Sequence, residues 1–266
     1  MNQINSNPAT VPEASPSGPT PVLVVTPYVA GQGNELELSI IGWKKYFCTP
    51  FRRVVIGDRP GCLSRHPEVE FIPMERAKAV EGMYRPHLDM AAKWLEICRR
   101  FGGTHEGFVR VADDCYPLNP FTIDDVRVLK IQSNEIKGDA SAAASYWLHD
   151  KWRTRQLLDR EGLPRRNFTI HSPMWYDIKS LRSLIEKYDL THNSYVIEDL
   201  YFNTFHPSDP AVLLDYQTEN YRGMINAAGS TDDRFRAIVR KKLWMFNTTR
   251  GWSHTLERLL RDHYSN

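Results

Sequence analysis

Charge of one sign is what this chain lacks most plainly. Its 266 residues carry 34 Lys and Arg against 32 Asp and Glu, a formal net charge of +2, so no global field draws it to nucleic acid or to an anionic membrane. The two local basic clusters, 151–166 and 234–242, read as solvated helix faces. Long apolar runs are also missing. No segment approaches the ~20 apolar residues of a membrane span, and the first twenty residues contain no apolar stretch of the kind a secretory leader needs. Cysteine is scarce: Cys48, Cys62, Cys98 and Cys115 form no C-x-x-C pair, which removes a zinc ribbon and gives disulfides no support. These absences together predict a soluble protein of the reducing cytoplasm.

Two glycine signatures are missing as well. There is no G-x-x-x-x-G-K-[ST] phosphate loop. Gly31 and Gly33 fall late after the first apolar run, and Leu36 stands where the third glycine of a dinucleotide-binding G-x-G-x-x-G belongs, so a Rossmann oxidoreductase is rejected. The segment Gly31-Gln32-Gly33-Asn34 also has none of the Arg and Lys that a nucleotidyltransferase loop carries, which ranks that reading low.

What is present reads as one large domain. Residues 1–20, rich in Pro, Ser, Asn and Thr, predict a disordered tail. Val22 to Thr26 is a β-branched run suited to a strand covered on both faces. Asn34 is placed to cap a helix, with Glu37 as its reciprocal partner and Leu36, Ile40, Trp43 and Phe47 on one stripe. Val54–Ile56 and Val69–Ile72 read as strands. A helix follows Pro86 until Gly102-Gly103, with Lys93 as a solvated residue on it. The strand Phe108–Val111 comes next. This alternation predicts an α/β sandwich with a mainly parallel central sheet, an α/β half at 21–130 and an irregular, helix-rich half of the same domain at 131–266. In that second half helices are expected over 147–161, from Asp177, from Glu198 to Phe205, over 234–243 and over 253–263. A short strand is expected at Phe168–Ile170, and 212–230 is weakly patterned.

Ligands of open α/β sheets gather beyond the carboxyl ends of the strands. The most informative such end is Gly107-Phe108-Val109-Arg110-Val111-Ala112-Asp113-Asp114, an apolar run that stops in two adjacent carboxylates. One or two carboxylates suffice to hold Mg²⁺ or Mn²⁺ beside a diphosphate; the same pair also suits a turn before Pro117.

This segment resembles the strand and acidic motif of GT-A type glycosyltransferases. Tyr195-Val196-Ile197-Glu198-Asp199-Leu200-Tyr201 resembles the Glu-Asp motif that opens a helix beside the acceptor site in several of those families. Lys242-Leu243-Trp244-Met245-Phe246-Asn247-Thr248-Thr249 and His171-Ser172-Pro173-Met174 are similar to segments of Stealth-type sugar-phosphate transferases and their bacterial and phage relatives. The likeness runs through 21–264 at the level of motifs. A strict Asp-x-Asp is absent, because Ala112 and Cys115 flank the pair. The resemblance implies a GT-A-like α/β/α sandwich with 21–130 as its nucleotide-binding half and 131–266 as its acceptor-binding half, and a divalent metal, Mn²⁺ or Mg²⁺, on Asp114 and Asp113 with His171 as a further ligand. It implies a donor, UDP-sugar favoured, near Thr26, Tyr28, Asp58, Arg59, Arg85 and Asp113. Asp199 or Glu198 would be the general base towards a hydroxyl on a glycan or a modified DNA base. Sugar-phosphate transfer, nucleotidyl transfer and a non-catalytic binding protein that keeps the fold are the competing expectations.

Overall fold

A computed structural model of the protein describes residues 20–30, 33–77, 85–141, 145–215, 219–228 and 231–266. The tail expected at 1–20 lies, but for its last residue, outside the described residues. The central sheet has the order β3-β2-β1-β4-β7. Strands β1 (Val22–Tyr28), β2 (Phe51–Gly57), β3 (Glu70–Pro73) and β4 (Gly107–Arg110) are parallel, and β7 (Met174–Asp177) closes the edge antiparallel to β4. The period-two alternation of β1 explains its position. Leu23 and Val25 point into a core shared with α2 (Pro86–Phe101), α5 (Ile178–Tyr188) and α6 (Ile197–Phe205). Val24 points the other way, towards Trp43 on α1 (Glu35–Tyr46). The result is the expected α/β/α sandwich with a mainly parallel sheet.

A smaller sheet, β5-β10-β9, lies beyond β4. β5 (Cys115–Pro117) follows the two aspartates directly, runs antiparallel to β10 (Trp244–Asn247), and β10 runs parallel to β9 (Arg222–Ile225). The helices α7 (Thr231–Val239) and α8 (His254–Ser265) pack this sheet against α1. The remaining elements are α3 (Ile123–Arg127), α4 (Tyr146–Arg160) and the two-residue pair β6 (Lys130–Ile131) and β8 (Val212–Leu213). Helix starts follow the sequence where a cap exists: Ser145, Asp177 and Ser253 each accept a hydrogen bond from the backbone N–H three residues on.

Several expectations are corrected. Asn34 sits at the start of α1 without capping it: its amide donates to Glu257 Oε1 at 2.8 Å, and Glu37 turns to Arg65 at 2.7 Å. Phe168–Ile170 is no strand, because the Phe168 N–H is taken by the Asp199 carboxylate at 2.6 Å. The helix expected at 234–243 ends at Val239, and Trp244 and Met245 then alternate between two separate cores, which is strand behaviour. Lys93 and Lys151, read as solvated, are buried, 1% and 6% exposed, since each meets a buried carboxylate. All four cysteines are free. No described helix is long and apolar enough to cross a membrane.

Candidate functional site

Three strand ends converge. β1 delivers Tyr28 to Ala30, β2 delivers Gly57 and Asp58, and β4 runs on through Val111, whose N–H still bonds Val25 O at 3.0 Å, into the turn Asp113-Asp114. The register of β5 on β10 pairs Cys115 with Phe246, so Asn247 emerges opposite the aspartates. A cleft of about 340 Å³ forms there, lined by Val29, Ala30, Glu35, Asp113, Asp114, Asn247 and Thr249. Other hollows, such as the 50 Å³ cavity among Val126, Phe168, Met174 and Phe202, lie away from these strand ends.

The cleft gathers negative charge. Burial, then the neighbouring Asp114 and Glu35, push the Asp113 carboxyl up to about 7. Burial and Asp114 push Glu35 up as well, opposed by the hydrogen bond it accepts from Asn247 Nδ2 at 2.8 Å. Asn247 is fixed in turn by the Tyr116 hydroxyl, which donates to its Oδ1 at 2.7 Å. Asp114 Oδ1 is buried with no hydrogen-bond partner, while Oδ2 lies 3.8 Å from His171 Nδ1. The His171 ring is itself stacked on Phe246 at 4.7 Å. Behind this wall Arg53 is a buried cation: it is 4% exposed, donates to Thr26 Oγ1 at 2.6 Å, and is pulled down to about 9 by burial.

Crowded carboxylates and an orphaned buried oxygen are what a divalent cation would relieve, so the residues fit one. Among the described residues no group of three or more His, Cys, Asp or Glu is placed to hold a metal ion, so the protein's share of the ligands is the carboxylate pair. Mg²⁺ and Mn²⁺ do not require more, since waters and phosphate oxygens complete their shell.

The sequence-derived candidates divide. Asp113 and Asp114 line the cleft together, and His171 stands 3.8 Å from Asp114 outside its lining. Tyr28 does not line the cleft: it is buried with Leu36, Ile40 and Val55, and burial, then Asp113, push its hydroxyl up. Asp58 works on the loop: its Oδ2 accepts from Ala30 N–H at 2.8 Å and from Arg76 Nη2 at 2.6 Å. Thr26 does not reach the donor side. It lies inside β1, fully buried, with its hydroxyl accepting from Arg53. Arg59 is exposed, with its guanidinium 5.6 Å from the Phe71 ring. Arg85, Glu198 and Asp199 belong to a neighbouring polar cluster. Glu198 Oε1 stands 3.5 Å from Arg110 Nη2, and Arg85 stands 3.9 Å from Asp150. Asp199 is fully buried; burial pushes it up to about 7 against the opposing pull of Lys151 at 3.9 Å and the Phe168 N–H. Sequence reading missed Glu35 and Asn247. Glu35 was hidden behind a capping pattern, and Asn247 was visible only as part of the stretch Lys242–Thr249.

No family model matches the chain, and no curated protein matches it. Among solved structures it is similar to the apo structure of the WbbM bifunctional glycosyltransferase, with a TM-score of 0.53 and 13% identity over 95% of this chain and 51% of that one. The chain thus spans about half the length of that protein. At this identity the likeness is one of fold: the chain has a glycosyltransferase-like α/β fold.

Proposed function

We propose that the protein is a glycosyltransferase that moves a sugar from a nucleotide-diphosphate donor, with a UDP-sugar favoured, to a hydroxyl acceptor. The observation that carries this reading is the pair Asp113-Asp114, set at the carboxyl end of the parallel sheet in a cleft whose acids lack enough positive charge.

Asp114 and Asp113 would hold Mn²⁺ or Mg²⁺, with His171 at the edge; when bound, the ion neutralises charge growing on the departing diphosphate. Tyr28, whose hydroxyl feels Asp113, would offer that hydroxyl rather than its buried ring to the base or ribose. Asp58, by gripping Ala30 N–H, holds the β1 loop in the shape of the cleft wall. On the acceptor side a general base must reach the hydroxyl proton. Glu198 suits that role better than Asp199. Its side chain is 10% exposed and faces Arg110 on β4, whereas that of Asp199 is fully enclosed and bonded to Phe168 N–H. Asp199 is therefore a positioning residue that fixes the segment leading to His171.

The test is binding and hydrolysis of a nucleotide-sugar panel with Mn²⁺ or Mg²⁺. Wild-type protein should bind UDP more tightly with the ion and slowly hydrolyse one donor. Asp114→Ala should lower turnover by roughly a hundredfold. Failure of every nucleoside diphosphate to bind with either ion would overturn the reading.

A further inference from the structure

The turn that carries Asp113 and Asp114 is held at both ends. Before it, the Val111 N–H bonds Val25 O at 3.0 Å and continues the pairing of β4 with β1. After it, the Cys115 carbonyl accepts from the Ser39 hydroxyl of α1 at 2.8 Å. Ser39 and Cys115 are both buried, so water does not compete for this bond.

Arg53 joins the two ends. It lies inside β2, paired with Val24, with its guanidinium 5.4 Å from the Trp43 ring centroid. Its Nη2 donates to Thr26 Oγ1 at 2.6 Å and to Ser39 Oγ at 3.3 Å. Thr26 is the next residue after Val25, whose carbonyl takes the Val111 N–H. A guanidinium nitrogen carries two hydrogens, so one atom ties the β1 side of the acidic turn to its α1 side.

Stability does not account for an arginine at this position. Arg53 forms no ion pair among the described residues, and its Nε and Nη1 are buried without hydrogen-bond partners. Burial pulls the guanidinium down, opposed by Cys115 and then by Asp113. A buried charge without a paired counter-charge weakens a fold, and an apolar residue of similar volume is often neutral or stabilising in its place. Val24, Trp43 and Phe47 already form an apolar layer on this side of the sheet. A destabilising group kept directly behind a candidate site marks selection for function over stability.

We infer that Arg53 and Ser39 are positioning residues for the Asp113-Asp114 pair. Arg53 fixes the Ser39 hydroxyl, Ser39 fixes the Cys115 carbonyl, and the turn between the two clamps keeps one shape. Neither side chain lines the cleft, so both act through the turn rather than on the donor. This deepens the proposed transferase function and rests on it.

Binding of UDP with Mn²⁺ to the full chain is measured by calorimetry, and the melting temperature by circular dichroism. The proteins are wild type, Ser39→Ala, Arg53→Met and Arg53→Lys. Ser39→Ala cuts the link and leaves the charge, and it should weaken binding about tenfold. Arg53→Met should weaken binding at least as much while its melting temperature equals or exceeds that of wild type. Arg53→Lys keeps the charge and several donors, and it should recover most of the loss. Binding lost while stability is kept is a split that a merely structural arginine would not produce. If wild type binds UDP with Mn²⁺ and either Ser39→Ala or Arg53→Met binds it equally well, the inference falls and the transferase reading stands. Arg53→Lys binding no better than Arg53→Met overturns the inference too. An Arg53→Met protein that melts well below wild type, or fails to fold, assigns the arginine to the fold and overturns it as well. If wild type binds no nucleoside diphosphate with either ion, the transferase reading falls and the inference falls with it.

Discussion

Asn247 Nδ2 donates to Glu35 Oε1 at 2.8 Å, joining residues 212 apart in sequence. With the Tyr116 hydroxyl on Asn247 Oδ1, the bond ties the start of α1, the end of β10 and the start of β5 into one buried line. Asn247→Leu would leave both the Glu35 carboxylate and the Tyr116 hydroxyl without their partner. Unpaired buried groups of this kind cost about 2–3 kcal/mol together with the lost bonds. Chemical denaturation should show that loss, and binding of UDP with Mn²⁺ should weaken in the folded fraction, because Glu35 is freed to move against Asp113. An unchanged denaturation midpoint would refute the structural role.

The Asp113 carboxyl gives a pH signature. Its native pKa of about 7 lies above the ordinary carboxylate value, with burial as the leading cause and Asp114 and Glu35 after it. Between pH of about 4 and 7 the native protein therefore keeps a proton that the unfolded chain has released. The stability associated with this group is complete at low pH and is lost as pH rises through that window. Asp113→Asn removes the titration. Its melting temperature should exceed that of wild type by a few degrees at pH 8 and match it near pH 4. Mn²⁺ should raise the wild-type value at pH 8 and raise the variant's less. A difference between the two proteins that stays flat with pH would contradict this account.

The sheet was legible in the sequence because its signals are local. The runs Val22–Thr26, Val54–Ile56 and Phe108–Val111 are apolar, β-branched or aromatic, and ended by turn residues, so each strand could be placed without its neighbours. The acids at the end of β4 were visible for the same reason. Charged residues were misread where burial depends on a distant partner. Nothing near Lys151 in the chain announces Asp199, and nothing near Glu35 announces Asn247. β7 was hidden because its four residues acquire strand character only by pairing with β4. Thr26 was expected at the donor because β1 was read as ending there; its pairing with β2 carries the strand on to Tyr28 and keeps Thr26 inside the sheet.

The two acids opening α6 should separate cleanly. Glu198→Gln removes a carboxylate that faces Arg110 and should lower turnover about 10²–10⁴-fold, the range for a lost general base, with little change in donor binding. Asp199→Asn keeps an oxygen able to accept from Phe168 N–H, so the fold should persist and turnover should fall far less. Steady-state rates with an identified donor and acceptor decide the matter. Equal losses in the two variants, or a larger loss in Asp199→Asn, would reverse the assignment.

On α2, Lys93 Nζ donates to Asp89 Oδ2 at 2.5 Å with both side chains almost wholly buried, and Asp89 Oδ1 accepts from Ala77 N–H at 2.9 Å. A buried pair is expensive to break by halves, because the remaining charge keeps its desolvation cost and loses its counter-charge. Lys93→Met should therefore destabilise the protein by about 3–5 kcal/mol. Asp89→Asn combined with Lys93→Met removes both charges while an amide oxygen can still accept from Ala77, so the double variant should be more stable than Lys93→Met alone. Urea midpoints for wild type, both single variants and the double variant complete the cycle. If the double variant loses as much as the sum of the singles, the two residues act independently and α2 is anchored by its apolar face, through Trp94 and Ile97, rather than by this pair.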